Sequence, residues 1–255
     1  MIMSSNITKL QELKYKKRCH ILTVDSYNVR GIRTNSKRAD HFAWLKSKNA
    51  DVTILVDTHC HLLKERKRWS KEWSNKKQDS IWSMGAGNSR GVAILFNKKF
   101  WDRDVKLIES ETKIHSSGRY IKIILEVEGC KYRILGVYAP NKGQARVNFI
   151  LKMHEILEDD ETAETIIGGD HNCTLDTLMD RRNCTSNSND IGQIDMKYLI
   201  QTHDLEDIWR TRNPDSLKYT YFRGDKASRI DYFLTSISLN NQIDTVYAIY
   251  NPYSD

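Results

Sequence analysis

Apolar runs of four to nine residues, rich in Val and Ile, recur along the chain, and several stop abruptly at a polar residue. ETIIGGDHN (164–172) is the sharpest case: a short buried-type run, two glycines, then Asp170 and Asn172. Runs of this length and composition read as strands, not as helices. None approaches the ~20 residues that span a bilayer, so no membrane partner is expected.

Further strands are expected at 20–28, 51–58, 80–85, 91–96, 105–110, 119–127, 131–139, 164–168, 220–222, 229–236 and 244–250. Helices are expected at 36–48, 62–73, 143–158 and 193–203. Strands outnumber helices, and helices interrupt them at intervals. That pattern points to an α/β or α+β chain with two sheets rather than a pure βαβ array. Residues 1–17 read as a basic tail and 18–255 as a single domain, since no linker divides the chain. Its 255 residues suffice for a sizeable core.

The net charge of +7 favours a polyanionic partner such as DNA. Cys19, Cys60, Cys130, Cys173 and Cys184 form an odd set without CxxC spacing, which reads as reduced thiols in an intracellular protein. HCH (59–61) invites a zinc reading, but four ligands in defined spacing are not evident. KERKRWSKEWSNKK (64–77) has two readings. Either it tracks a nucleic-acid backbone, or it is a solvated helix face whose Trp69 and Trp73, four apart, pack inward.

Asn28, Asp57, Tyr138, Asp170 and Asn172 stand at predicted strand ends, with Asp231 in SRIDY and Asp255 closing the chain. One such residue is an ordinary turn or cap residue. A succession is chemically coherent, because strand ends on one edge of packed sheets converge. Carboxylate and amide oxygens suit Mg²⁺, with Mn²⁺ as an alternative.

NVRGI (28–32), DVTILVDTH (51–59), GVYAPN (136–141), GGDHN (168–172), SRIDYFLTS (228–236) and YSD (253–255) resemble, in order, the motifs of the endonuclease/exonuclease/phosphatase superfamily. The likeness is strongest to the apurinic-type endonuclease domain of LINE-type retrotransposons and covers residues 19–255. It implies a four-layer, DNase I-like α/β sandwich: two packed mixed sheets flanked by helices. It also implies metal-dependent DNA nicking that leaves a 3′-hydroxyl to prime reverse transcription, by a reverse transcriptase in the same polyprotein, in the nucleus.

By the same resemblance, Asp57 and Asp255 are metal ligands and Asn28 helps shape the metal and water site. Tyr138 and Asn172 contact phosphate. Asp170 activates or orients the attacking water, and Asp231 orients a catalytic histidine. Arg30, Arg119, Asn141, Arg223, Lys226 and Ser228 are candidates for phosphate or DNA contact, with Arg223–Lys226 as an exposed turn entering a groove.

Two departures stand out. Asp57 replaces the family's usual glutamate, which withdraws the carboxylate by roughly an ångström. The chain also stops at Asp255, one residue before the family's histidine, so His59, His171 and His203 are the remaining imidazoles to consider as substitutes. A DNA-binding module that kept the fold without its chemistry, and a phosphatase of the same superfamily, are the competing readings.

Overall fold

The computed structural model describes residues 21–87, 89–158, 162–184, 191–248 and 252. The tail expected at 1–17, and Asp255, lie outside them.

The first half builds one mixed sheet. β1 (Val24–Asn28) is followed by α1 (Asn35–Lys48), β2 (Val52–Val56), α2 (Leu63–Trp73), β3 (Ser80–Ser83) and β4 (Val92–Phe96). The strand order is β1-β2-β4-β3, with β1 and β2 parallel across the α1 crossover. Every residue of β2 and of β4 is buried, as expected for strands covered on both faces.

The second half builds the larger sheet. β5 (Val105–Leu107), β6 (Lys113–Ile114), β7 (Tyr120–Val127) and β8 (Cys130–Tyr138) lead through α3 (Gly143–Leu157) to β9 (Glu164–Asp170). β10 (Arg181–Arg182), α4 (Gln193–Thr202), β11 (Leu205–Asp207), α5 (Ile208–Arg212), β12 (Tyr221–Arg223), β13 (Lys226–Ser228) and β14 (Asp231–Ser236) complete the described elements. The order is β11-β14-β9-β8-β7-β5, with β6 beside β7. β8 and β9 are parallel across α3, whereas β14 runs antiparallel to β9. β10, β13 and β12 form a separate small sheet.

Alternation along the strands sorts side chains into three cores. Val52, Ile54, Val92 and Ile94 meet Ile121, Ile123 and Ile134 between the sheets. Leu55, Ala93 and Leu95 face the other way, onto Phe42 and Leu45 of α1 and Trp69 and Trp73 of α2. Leu135, Val137 and Ile167 face Phe149, Ile150 and Met153 of α3 and Met196 and Leu199 of α4. This period-two division produces four layers, helix–sheet–sheet–helix.

The two glycines before Asp170 have separate reasons. A Cβ on Gly168 would sit 2.4 Å from the Phe233 ring and 3.1 Å from Ile54 Cδ1, while one on Gly136 would sit 2.8 Å from Ile54 Cγ2. The sheets therefore approach closely at Ile54. Gly169 has φ +142 and no room for a Cβ beside the Val137 carbonyl, so only glycine fits.

Three expectations fail. Residues 244–248 form no strand, and 249–250 lie outside the described residues. Tyr247, in that segment, is 70% exposed. The first strand begins at Val24, not His20. β11 and α5 were not expected, being too short to show a period.

Candidate active site

The two parallel pairs deliver their C-terminal ends to one rim. Asn28 ends β1, and Asp57 follows β2 directly. Tyr138 and Asp170 end β8 and β9 as register partners. β14 runs the opposite way, so its first residue, Asp231, is paired with Asp170. Residues far apart in sequence thus meet, within each sheet through register and across the seam through the contact of Asn28 with Asp170.

Asn28 Nδ2 donates to Asp170 Oδ2 at 3.0 Å, a bond between the four-stranded sheet and the larger one. The Arg30 backbone N–H donates to Asn28 Oδ1 at 3.2 Å. Asp170 Oδ1 accepts the Asn172 backbone N–H at 2.8 Å, and Asn172 Nδ2 donates to the Ala139 carbonyl at 2.9 Å. Asp57 Oδ1 accepts the Arg90 backbone N–H at 3.1 Å and lies 3.2 Å from His59 Nε2.

The backbone here is held in unusual shapes. Arg30, Asp57, His59, Arg90 and Asn172 all have positive φ, five of the nine non-glycine residues that do so among the described residues. Such conformations cost on the order of 1–3 kcal/mol each and persist where surrounding structure over-determines them. Backbone bonds supply that here: Gly31 N–H to Asp57 O at 2.7 Å, Thr58 N–H to Gly91 O at 3.0 Å, and His59 N–H to Arg90 O at 2.8 Å.

Acidic and basic side chains both crowd this rim, largely out of water. Burial, with Asp231 and then Asp57 nearby, holds the Asp170 carboxyl well above the usual carboxylate range. Burial pushes Asp231 up to about 6, against the opposing pull of a Thr220 hydrogen bond and of Arg30. Burial and the Asp57 and Asp170 carboxylates push the Tyr138 hydroxyl up, so it stays a neutral donor. Across from the acids, burial and then Arg90 lower the Arg119 guanidinium, and burial, Arg119 and Arg90 lower His115. Arg119 lies over the Tyr138 ring, 5.4 Å from its centroid, and donates to the Tyr138 carbonyl at 3.1 Å.

The donors fit a hard divalent cation. Asp231 Oδ1 is buried with no partner, and Asp57 and Asp231 both lie within electrostatic reach of Asp170. A cation relieves that repulsion. No group of three or more His, Cys, Asp or Glu among the described residues forms a ready cage. Asp57, Asn28 and Asp170 offer oxygens of the type that Mg²⁺ takes, one or two carboxylates with waters completing its shell. His59–His61 do not suit zinc; Cys60 is buried there, its thiol pushed up to about 12 by desolvation.

The other expected residues scatter. Asn141 is exposed just past Tyr138. Arg223 and Lys226 sit across the tip of the β12–β13 hairpin, exposed with Phe222 beside them. Ser228 is buried at the foot of that hairpin, 3% exposed. Neither His171 nor His203 stands in for a site imidazole. His171 is buried flat against Tyr232, and burial pushes it down to about 3. His203 pairs with His154 at 3.1 Å beside the outer helices. His59 alone of the three touches the site.

Arg90 and Thr220 escaped the sequence reading. Arg90 precedes β4, which reaches the rim only because it is antiparallel to β2. The Thr220 hydroxyl accepts the Ile230 and Asp231 backbone N–H groups, each at 3.1 Å, and nothing in its local sequence signals that. Beneath the hairpin, buried Arg229 bonds Asp180 Oδ1 at 2.8 Å and Asp207 Oδ2 at 2.6 Å, tying the loop after β9 to β11 and β14.

The crystal structure of an AP endonuclease from Leishmania major superposes with a TM-score of 0.67 at 16% identity, over 85% of this chain and 79% of that one. The chain has the endonuclease/exonuclease/phosphatase fold. No family model matches the sequence. Curated relatives carrying sequence similarity include an uncharacterized 149 kDa protein of transposon TX1 from Xenopus laevis, 27% identical over 239 residues. That alignment takes in 92% of this chain but only 17% of the Xenopus protein. An exodeoxyribonuclease from Bacillus subtilis is 25% identical over 86% of this chain and 90% of its own length. With this fold, the rim that gathers Asn28, Asp57, Tyr138, Asp170 and Asp231 lies at one end of the sheet–sheet seam.

Proposed function

We propose that this chain is a divalent-metal-dependent endonuclease domain that nicks DNA for a LINE-type retroelement. The carrying observation is the 3.0 Å bond from Asn28 to Asp170, which brings an amide and a carboxylate from different sheets to one point. Similarity to a transposon protein and to an exodeoxyribonuclease supports a nucleic-acid phosphodiester as substrate.

A phosphodiester repels an incoming hydroxide, so the site must lower negative charge and take up a proton. Mg²⁺ or Mn²⁺, held by Asp57 with Asn28, would offset the charge that builds on the phosphate. Asp170, fixed by Asn28 and the Asn172 backbone, accepts the proton of the attacking water. Tyr138 donates its hydroxyl to the phosphate, and Asn172 keeps one amide hydrogen for the same use. Arg119 and Arg30 flank the anion. Asp231 presents its unpartnered oxygen to an imidazole donor. Arg223 and Lys226 meet the DNA backbone from the hairpin. The nick leaves a 3′-hydroxyl that a reverse transcriptase of the same polyprotein extends, in the nucleus.

The test is nicking of supercoiled plasmid with Mg²⁺ or Mn²⁺ against EDTA, on this chain and on one extended by a histidine after Asp255. Metal-dependent open circles whose ends a polymerase extends are expected, with Asp170→Ala at least ~10²-fold slower. If both proteins bind the plasmid without cutting it, a DNA-binding module replaces the nuclease. Phosphate release from small phosphoesters without nicking turns the assignment to a phosphatase.

A further inference from the structure

We propose that the outward face of α2 is a second nucleic-acid contact surface, which grips the phosphate backbone of the duplex flanking the cleavage site. The partner rests on the DNA reading above; the surface itself does not depend on catalysis.

Lys64, Lys67, Arg68 and Lys71 fall on one side of α2, since residues three and four apart share a face. All four are exposed, and Trp69 and Trp73 occupy the buried side. An exposed helix usually balances such cations with acids at the same spacing. Here both acids of α2 are used elsewhere. Glu65 is buried and turns back onto the helix start, accepting the His61 and Leu62 backbone N–H groups, each at 3.2 Å, and pairing with Arg33 at 3.2 Å. Glu72 turns toward α1 and pairs with buried Arg38, whose Nη2 lies 2.9 Å from Glu72 Oε1. Only Arg68 keeps a loose contact to Glu72, at 3.6 Å.

The result is a row of like charges at i, i+3 and i+4, an arrangement that works against helix formation. The helix is held by its tryptophans, so the row is tolerated without being needed for the fold. α2 starts four residues after His59, whose ring touches Asp57. From Lys64 to Lys71 the row runs ~10 Å along the helix, enough to meet successive phosphates of one strand. Lysines suit this use as point charges that contact phosphate without reading bases.

The experiment measures binding by fluorescence anisotropy with a 30-base-pair duplex in EDTA across a salt series, so that no cleavage intervenes. The full chain is compared with Lys64→Gln/Lys67→Gln/Lys71→Gln and with the matching triple Lys→Arg variant. Each lost phosphate contact removes about 0.9 from the slope of log K against log salt, so the Gln variant should lose about 2–3. At 0.1 M salt this amounts to as much as ~500-fold weaker binding. The Arg variant should keep the parent slope, which separates lost charge from lost folding. An unchanged slope in the Gln variant overturns the inference. So does a slope loss seen only with single-stranded RNA, which would assign the face to a different partner. If the parent binds duplex with the expected slope but never nicks, the nuclease reading falls while this surface stands. If it nicks and the slopes coincide, the reverse holds.

Discussion

Asp231→Asn should make the metal-free protein more stable, although it removes a group assigned to catalysis. In the folded chain the Asp231 carboxyl is pushed up from 3.8 to about 6, chiefly by burial. The fold therefore binds this proton more tightly than the unfolded chain does, and stability falls as pH rises through about 6. Once the carboxylate is ionised in both states, the displacement corresponds to about 3 kcal/mol of destabilisation. Asparagine removes the charge, keeps an oxygen for Thr220, and presents an N–H toward Asp170, its register partner. Some of the gain will be lost in satisfying the new amide. A net 1–3 kcal/mol is expected at pH 7.5, a rise in Tm of roughly 3–9 °C for a chain of this size. The gap should shrink by about 2 kcal/mol by pH 4.5, where the wild-type folded carboxyl is largely protonated. Urea titrations of both proteins in EDTA at the two pH values measure this directly. A variant less stable than wild type at pH 7.5, or a gap unchanged at pH 4.5, refutes the reasoning.

Two other outcomes follow from buried and exposed charge. Arg229→Met leaves Asp180 and Asp207 buried without their shared cation, and should cost about 3–5 kcal/mol in urea denaturation at pH 7.5. Arg223→Ala with Lys226→Ala, at the exposed hairpin tip, should leave the melting temperature within about 1 °C while weakening duplex binding and reducing its salt slope by about 2.

The strands covered on both faces were the easiest to read, because β4 is an unbroken apolar run and β2 is interrupted only by the small, β-branched Thr53, leaving no polar face to confuse the period. Trp69 and Trp73, four apart, announced the buried side of α2, and both are buried. The run at 244–250 reads as a strand by composition, yet its described part, 244–248, forms none, and nothing local to the sequence signals that. The rim residues were legible as strand-end polar groups, but their meeting was not, since it depends on β8 and β9 being parallel and β14 antiparallel. Arg90 was invisible for the same reason. Ser228 was legible by position, yet the hairpin that buries it forms from residues on either side of a two-residue turn. The tension at the rim was hidden too, because the repulsion of Asp170 by Asp231 and Asp57 exists only once three separate segments close on one another.

Ile54 takes part in no chemistry, yet its fit against Gly136 and Gly168 sets how far apart Asn28 and Asp170 are held. The reactive groups behave like the jaws of a calliper whose screw is a hydrocarbon contact deep in the seam. A methyl group added to either glycine would open the jaws from within, and the damage would register at the rim as lost alignment with every polar side chain still present.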